Sequence, residues 1–220
     1  MKKLLDRYVQ EARWDRLLKI RTSGRDDSRS DDLRYAYEPT EYSVLERLAS
    51  SGYIRRGNTL VDYGCGKGRV SFFLAYQTRC RCIGIDFSPP MLERALKNRR
   101  TAVSGERTDF YRQDAAEYPV PAEADRFYFF NPFAVKILRQ VLDRIRKSRK
   151  EAPREALLFF YYPSDEYIAC LMTVEELIFL DEIDCRDLFE PLNDRERILV
   201  FRFGPDPAGS HGESPGLSGI

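Results

Sequence analysis

Glycines at alternate positions, preceded by a carboxylate, form the first pattern in this sequence that is suited to chemistry. Residues 60–69 have the sequence LVDYGCGKGR, so that Asp62 precedes Gly64, Gly66 and Gly68. Such glycines permit positive φ angles and let a ligand approach the backbone, and a helix that follows them presents free N–H groups. The spacing differs from the Gly-x-Gly-x-x-Gly of dinucleotide folds and from nucleotide triphosphate loops. The carboxylate of Asp62 would repel a pyrophosphate and favours a ligand with a cationic end.

Two later segments each end in a further carboxylate. Asp86 follows an apolar run and precedes Phe87, whereas Asp114 precedes Ala115. A carboxylate at the end of a strand can accept hydrogen bonds from the vicinal hydroxyls of a ribose, and an aromatic ring beside it can pack on a purine. Asp114 is placed to accept from an exocyclic adenine amine. Together with Asp62, these residues match a ligand that carries an ammonium, a ribose and an adenine.

Alternating strands and helices must position these residues. The predicted strands are 59–63, 81–86, 108–112, 126–131, 156–162, 178–184 and 197–203, and the predicted helices are 67–77, 89–98, 134–148 and 165–172. Alternation of this kind gives right-handed crossovers and a parallel sheet, and the last two strands add an antiparallel hairpin. The sequence therefore predicts an α/β fold with a seven-stranded, doubly wound, mostly parallel sheet. Ligands bind such sheets beyond the carboxyl ends of the strands.

The sheet-forming part of the chain is flanked by two segments of different character. Apolar residues recur about every 3.6 positions at 2–20, which predicts an N-terminal amphipathic helix. The stretch TSGRDDSRSDD that follows has no large apolar side chain and indicates a mobile linker. The final GPDPAGSHGESPGLSGI indicates a disordered tail. We expect a helical extension and linker at 1–34, one domain at 35–203 and a tail at 204–220.

Composition excludes several kinds of chemistry. The 220 residues contain one histidine, His211 in the tail, so the domain has no imidazole for a metal site, a Ser-His or Cys-His pair, or a general base. We expect no metal. The five cysteines form no CxxC pair and indicate reduced thiols in the cytoplasm. No apolar run is suited to a secretion signal or a membrane span. The chain has 36 Lys and Arg and 35 Asp and Glu, so its net charge does not indicate a polyanionic partner.

At this point the sequence resembles the class I S-adenosylmethionine-dependent methyltransferases, which have a Rossmann-like fold. The resemblance covers about residues 60–203, and the residues that carry it are Asp62-x-Gly64-Cys65-Gly66-x-Gly68, Asp86, Asp114 and the FFNPF segment at 129–133. It implies that the cofactor is S-adenosylmethionine. The glycine loop, Cys65 included, would hold the methionine moiety, Asp86 the ribose, and Asp114 with its neighbour Ala115 the adenine.

The FFNPF segment is also where the resemblance places the methyl acceptor. Asn131-Pro132-Phe133 is similar to the Asn/Asp-Pro-Pro-Tyr/Phe motif of enzymes that methylate amines, although one proline is missing. That likeness implies that Asn131 orients the acceptor nitrogen and that Phe133 packs on the acceptor. A weaker likeness is to the non-SET histone lysine methyltransferases, which have Asn-x-Phe-Ala at this strand end. It implies that the loop 35–42 covers the cofactor, with Thr40 near the methionine carboxylate.

These residues lead us to expect methyl transfer to a nitrogen of a protein, a nucleic acid or a small molecule. O-methylation of a small metabolite, which would require a carboxylate or tyrosine base, remains open, and so does aminopropyl transfer on the same fold. A catalytically inactive cofactor-binding scaffold, with the basic helix at 134–150 as its docking surface, is an alternative of another class. We favour a solvated exterior for that helix. The sequence leaves the oligomeric state open.

Overall fold

The computed structural model of this chain describes residues 2–24 and 37–204, with side chains from residue 7 onward. Seven strands lie in these ranges: β1 Thr59–Tyr63, β2 Arg81–Asp86, β3 Thr108–Arg112, β4 Arg126–Phe129, β5 Leu157–Tyr161, β6 Leu177–Asp184 and β7 Arg197–Phe203. The α-helices of the same ranges are α1 Lys2–Leu18, α2 Tyr42–Ser50, α3 Arg69–Thr78, α4 Pro89–Thr101, α5 Val135–Glu151 and α6 Asp165–Met172. None of these helices is long and apolar enough to cross a bilayer.

The strands form a single sheet in the order β3-β2-β1-β4-β5-β7-β6. β1 to β5 are parallel to their neighbours, and β7 is antiparallel to both β5 and β6. The predicted fold class is therefore confirmed, including the closing hairpin. The strand order reverses between β1 and β4, so the carboxyl ends of these two strands border the crevice in which doubly wound sheets bind ligands.

Both faces of the sheet are covered, because its central strands are apolar on both sides. All residues of β1, β4 and β5 are buried. One face packs against α2 and α3, through Leu45 and Phe73 among others, and the other packs against α5 and α6, through Leu138 and Leu171. A central strand that is buried on both faces has little freedom to shift its register, so the ends of these strands form a rigid base for the loops beyond them.

The N-terminal part departs from the sequence prediction in two ways. α1 ends at Leu18, and a second helix, α2, occupies 42–50, where no helix was predicted. The start of the predicted mobile linker is also packed: Thr22 is fully buried, and its backbone N–H and hydroxyl both donate to Asp15, at 2.7 and 2.6 Å. The rest of the linker, 25–34, the first two residues of the predicted loop 35–42, and all but the first residue of the predicted tail, with His211, lie outside the described residues.

Candidate functional site

A cleft opens at the carboxyl ends of β1, β2, β3 and β4. It encloses about 1050 Å³, including the open solvent at its mouth. Most of the predicted site residues line it: Thr40, Asp62, Gly64, Cys65, Asp86, Phe87, Asp114, Ala115, Asn131 and Phe133. The two others, Gly66 and Gly68, lie behind its wall.

The glycine loop between β1 and α3 is held in place by its own backbone. The N–H groups of Gly64 and Cys65 both donate to the carbonyl of Ile85, at 2.9 and 3.0 Å, which ties the loop to β2. Gly66 has a φ of +52° and Gly68 a φ of +86°. A Cβ on Gly68 would lie 2.7 Å from the rings of Phe72 and Phe110. The later glycines therefore serve close packing and turn geometry.

Asp86 links the end of β2 to the glycine loop. Its Oδ2 accepts from the Gly66 N–H and its Oδ1 from the Ser88 N–H, both at 2.8 Å. Burial raises the pKa of Asp86, and these backbone hydrogen bonds oppose that rise. Each carboxylate oxygen can accept a second hydrogen bond. The side chain, which lines the cleft, can thus receive two hydroxyl donors while it continues to hold the loop.

Asp62 is the most deeply buried carboxylate of the cleft, with 2% of its surface exposed. Burial raises its pKa to about 7, while the Ser71 hydroxyl, which donates to Oδ2 at 2.9 Å, lowers it and the nearby charge of Asp86 adds to the rise. Within the described ranges, neither Asp62 nor Asp86 has an ion pair with a basic side chain. Two buried carboxylates without a cation are suited to a ligand that brings its own positive charge.

The end of β3 forms the side of the cleft farther from β4. Oδ1 of Asp114 accepts from the N–H of Ala116 at 3.0 Å, which closes a tight turn. Ala115 lies within this turn, and Phe87 and Met91 line the same cavity from the segment after β2. A planar group in this part of the cleft would meet apolar side chains and a carboxylate that can accept from an amine.

The N-terminal residues 7–24 and 37–42, here called the cover, lie over the glycine loop. Arg69, at the start of α3, joins the two parts of the cover and has 2% of its surface exposed. Its guanidinium pairs with Glu11, donates to the hydroxyl of Thr22 at 2.8 Å and to the carbonyl of Thr40 at 3.1 Å, and lies 4.4 Å from the ring centre of Tyr42. One buried cation therefore connects α1, the segment after α1, and the segment before α2.

A second basic residue, Lys67 of the glycine loop, holds the same cover from the other side. Its Nζ donates to the carbonyls of Ser23 and Gly24, at 2.7 and 3.0 Å, and lies 4.6 Å from the ring centre of Tyr37. The Tyr37 ring rests on Gly66 so closely that a Cβ there would lie 2.1 Å from a ring carbon. The side chains of Lys67 and Arg69, which lie beside the glycines, thus hold the cover in place. Because Gly66 has no side chain, the Tyr37 ring can pack directly on the loop.

The segment after β4 joins two strand ends. Asn131 has a φ of +37° and Tyr162, after β5, a φ of +51°, both in the left-handed region. Nδ2 of Asn131 donates to the Tyr162 carbonyl at 2.5 Å, and its Oδ1 accepts from the Ser164 N–H at 3.3 Å. Both polar atoms of the amide are occupied within the protein. The role in orienting an acceptor stays a prediction, and in this conformation the amide positions the loops around the cleft.

Phe133 and Phe130 differ in their burial and in the cavities that they line. Phe133 is 4% exposed and packs edge-on against the rings of Tyr63 and Phe129, with centroid distances of 6.4 and 6.3 Å. Phe130 is half-buried and lines both the cleft and a second, wider space, here called the outer cavity. The residues that the two spaces share are Glu38, Pro39, Phe130 and Asn131. A ligand in the cleft and a second one in the outer cavity would meet at this boundary.

Sequence reasoning missed several residues of the site. Arg69 and Lys67 carried a signal, because a basic side chain beside a buried glycine loop must find carboxylates or carbonyls to pair with. Glu38 and Phe130 lie in the loop 35–42 and the FFNPF segment that the sequence analysis singled out, but only the fold brings them and Glu196 to the outer cavity. Within the described ranges, no group of three or more His, Cys, Asp or Glu side chains is arranged to hold a metal ion.

Comparison with known protein families matches residues 60–151 to the methyltransferase domain. A curated relative, the 27-O-demethylrifamycin SV methyltransferase of Amycolatopsis mediterranei (strain S699), is 30% identical over 122 residues, which are 56% of this chain. The aligned region is 43% of that relative, so the chain spans less than half of its length.

Solved structures share the fold at low sequence identity. A putative rRNA methylase from Clostridium thermocellum is 17% identical with a TM-score of 0.54, covering 76% of this chain and 97% of its own. Precorrin 8w decarboxylase from Methanobacterium thermoautotrophicum is 20% identical with a TM-score of 0.54, covering 77% and 93%. The [4+2]-cyclase SpnF is 16% identical with a TM-score of 0.56, covering 74% and 81%. Since these three proteins are named for different reactions, the shared fold alone does not assign an activity.

Proposed function

We propose that the protein transfers a methyl group from S-adenosylmethionine to an organic acceptor, because residues 60–151 match the methyltransferase domain. The observation that carries the proposal is the pair of buried carboxylates, Asp62 and Asp86, at the ends of β1 and β2. They lie beside a glycine loop and, within the described ranges, form no ion pair with a basic side chain. That arrangement suits a ligand with an ammonium group and a ribose diol.

The residues of the cleft fit this cofactor part by part. Asp62 and the glycine loop would receive the amino-acid end, Asp86 the ribose hydroxyls, and Asp114 with Phe87 the adenine. Thr40, whose hydroxyl lies 2.9 Å from that of Tyr128, would face the amino-acid end from the cover. S-adenosylmethionine supplies an activated methyl group when it is bound.

The remaining tasks fall to the chain itself. Transfer between two bound molecules depends on alignment and on exclusion of water, and both require that the site be closed on most sides. The strand ends provide a rigid base, the cover encloses the glycine loop, and the half-buried ring of Phe130 separates the cleft from the outer cavity. The acceptor would enter the outer cavity and give up its proton to water or to a carboxylate there.

A second candidate acceptor is a hydroxyl group. The name of the curated relative, 27-O-demethylrifamycin SV methyltransferase, points to an oxygen acceptor in that protein. A hydroxyl needs a general base, and Glu196, which accepts from the Tyr161 hydroxyl at 2.5 Å in the outer cavity, is a candidate for it.

The scaffold alternative has less support from the basic helix α5. Several of its cations already have partners within the chain. Arg146 pairs with Asp143 and Glu176, and the guanidinium of Arg149 lies 5.0 Å from the ring centre of Phe203. Cations that serve the helix's own packing contribute less to a docking surface. The exterior of α5 is therefore better explained by folding than by a polyanionic partner.

A reducing compartment such as the cytoplasm is part of the proposal. Cys65, Cys80, Cys82, Cys170 and Cys185 are all buried and unpaired. The sulfur atoms of Cys80 and Cys82 lie 3.5 Å apart without a disulfide. Buried free thiols are typical of proteins that work where disulfides do not form.

Calorimetric titration with S-adenosylmethionine tests the cofactor assignment. We expect one saturable site in the wild-type protein and at least ~10-fold weaker binding by Asp86→Asn, since a hydrogen bond to a charged group contributes ~1.5–3 kcal/mol. Asp143→Asn, which changes an exposed carboxylate on α5, is the matched control and should bind as the wild type does. Absence of wild-type binding, or equal binding by Asp86→Asn, would overturn the assignment.

Methyl transfer itself requires a second experiment. Tritiated S-adenosylmethionine is incubated with the protein and with separate pools of metabolites, protein and RNA. Label in the metabolite pool is the expected result, because the outer cavity is a recess and the exterior of α5 is largely engaged. Cofactor binding without transfer to any pool would favour the scaffold alternative.

A further inference from the structure

The outer cavity is bounded by the cover, the ends of β4 and β5, and the segment before β7. Three of the four aromatic rings in its described wall are in mutual contact. The Phe130 ring lies 4.7 Å from that of Tyr161 and 6.2 Å from that of Tyr162, measured between centroids. Phe130 and Tyr162 are half-buried and Tyr161 is buried. Such rings give a ligand apolar contact and present negatively charged faces to a cation.

The same cavity already holds a cation over an aromatic ring. The guanidinium of Arg7 lies 5.0 Å from the ring centre of Phe189, and it also pairs with Glu41. The other arginine of the cavity, Arg195, lies 3.7 Å from Asp165. Both cations thus have a carboxylate partner within the wall. Among the described residues of the wall, five carboxylates stand against these two guanidinium groups, so negative side chains outnumber positive ones there.

Glu196 is the carboxylate with the clearest capacity for a ligand. It is 8% exposed, and its Oε2 accepts from the Tyr161 hydroxyl at 2.5 Å. No described residue donates a hydrogen bond to its Oε1. Burial raises the pKa of Glu196, the Tyr161 hydroxyl and Arg7 lower it, and Glu38 raises it further. A cation beside Glu196 would satisfy the open oxygen and relieve the repulsion between the two carboxylates.

We propose that the outer cavity binds a small organic amine in its ammonium form, with the charged nitrogen near Glu196 and the carbon skeleton against Phe130 and Tyr162. The assignment rests on the proposed function, for which it names the acceptor class. In the transfer, the bound ammonium gives one proton to water and its freed lone pair forms the new N–C bond. The electron pair of the broken C–S bond stays with sulfur, so charge and atoms balance.

Binding of matched small molecules to the cofactor-free protein tests this inference without measuring activity. The probes are benzylamine, phenethylamine and cyclohexylamine, each titrated in a calorimeter beside the alcohol and the carboxylate of the same skeleton. We expect at least one amine to bind 10-fold or more tightly than both of its analogues. Glu196→Gln, which keeps an acceptor for the Tyr161 hydroxyl, should reduce that preference at least 10-fold.

Two further variants control for folding and for general charge. Glu106→Gln alters a carboxylate that is 75% exposed and does not line the outer cavity, and it should leave amine binding unchanged. Glu166→Gln changes an exposed residue of the cavity wall and provides a second test if Glu196→Gln does not fold. We expect it to weaken amine binding two- to threefold. Wild-type melting behaviour of each variant confirms its fold.

Several outcomes would overturn the inference. Alcohols or carboxylates that bind as tightly as the amines would do so, and so would an amine preference that survives both wall substitutions. Binding of a lysine-containing peptide in place of all three amines would reject the small-molecule class. The titration with S-adenosylmethionine separates the two proposals: cofactor binding without amine binding removes the acceptor class alone, and amine binding without cofactor binding removes the methyltransferase assignment.

Discussion

The cleft has two walls that are built on different principles. Its base, formed by the glycine loop and the ends of β1 and β2, is held by backbone hydrogen bonds: two loop N–H groups donate to Ile85, and Asp86 accepts from two more. The cover is held by side chains, with Arg69 and Lys67 as its two basic anchors. Backbone geometry follows from local sequence, whereas a side-chain network requires that distant segments meet.

The difference also determines how each wall fails. The glycine loop can tolerate many side-chain changes, because its donors are main-chain N–H groups, although Gly66 depends on the side chain of Asp86 as its acceptor. The cover depends on a few charges that are out of contact with water, and a buried charge that loses its partner is costly. We therefore expect a single substitution to lower the free energy of unfolding more in the cover than in the base. For the base, we expect the free energy of unfolding to depend on pH and to fall when a side-chain atom is added to a glycine.

The largest effect is expected from Arg69→Met, which breaks the cover at its centre. Met fills much of the same volume, but Glu11 and Asp15 then lose their cation and Thr22 loses a donor. Removal of one partner from a buried ion network costs ~3–5 kcal/mol. Urea unfolding should show a decrease of that order in the free energy of unfolding.

Arg107→Met is the matched control for that substitution. Its partner, Glu106, is 75% exposed at 3.3 Å, and exposed pairs contribute ~0–1 kcal/mol. Equal losses of stability in the two variants would contradict the view that the cover depends on one buried cation. Hydrogen exchange of residues 15–24 should also rise in Arg69→Met and stay unchanged in Arg107→Met.

The contrast between the walls explains how far the sequence could be interpreted. The spacing of Asp62, the glycines and Asp86 predicted the base, because each of these residues acts on backbone within a few positions of a strand end. The strand boundaries were predicted for the same reason: buried strands such as β1 and β5 are short apolar runs. The alternation of strands and helices predicted a doubly wound sheet, but the structure alone shows that the strand order reverses between β1 and β4.

The cover was beyond such reasoning, because its contacts join residues far apart in the chain. The segment 22–24 contains only Thr, Ser and Gly, which indicated a mobile linker, yet Thr22 is buried by bonds to Asp15 and Arg69. Helix α2 could have been recognised: Tyr42, Leu45 and Leu48 recur at helical spacing and are all buried. The sequence predictions include only Tyr42 of this helix, in the predicted loop 35–42, and assign no structure to residues 43–50.

A second prediction concerns the base and its response to pH. Burial raises the pKa of Asp62 to about 7, whereas in an unfolded chain it is ~3.9. Between these values the folded protein holds a proton that the unfolded chain has released, so the free energy of unfolding falls as pH rises, by at most ~1.4 kcal/mol per pH unit. In Asp62→Asn, urea unfolding at pH 5, 6, 7 and 8 should show a smaller fall.

Asp86 and Glu196 also have raised pKa values, so part of the slope should remain in Asp62→Asn. Asp109→Asn provides the control, because Asp109 pairs with Arg81 and Arg99 near the surface. An unchanged slope in Asp62→Asn would show that this carboxylate keeps its charge in the folded protein. A cationic ligand should bind the wild type more tightly as pH rises through 7, because it favours the charged form of Asp62.

The smallest effect is expected from Gly66→Ala, because the Tyr37 ring of the cover lies directly on the backbone of Gly66. The added Cβ would lie 2.1 Å from the Tyr37 ring, so the ring must move away. Strain at a left-handed residue and loss of this contact should lower the free energy of unfolding by ~1–3 kcal/mol. Gly57→Ala isolates the strain, because Gly57 has a φ of +97° with nothing within 4 Å of its Cβ.

The Tyr37→Ala background turns this comparison into a test of the contact itself. Without the ring, Gly66→Ala should cost no more than Gly57→Ala, and the coupling between positions 37 and 66 should be ~1 kcal/mol or more, since residues in contact do not add. Gly57→Ala should show no coupling to Tyr37. If Gly66→Ala lowers the free energy of unfolding by the same amount with and without the Tyr37 ring, the cover does not pack on the glycine loop in solution, and the two walls contribute to stability independently. A positive coupling would mean that the Tyr37 ring of the cover packs on Gly66 in solution, so that part of the glycine motif forms a contact surface for the cover.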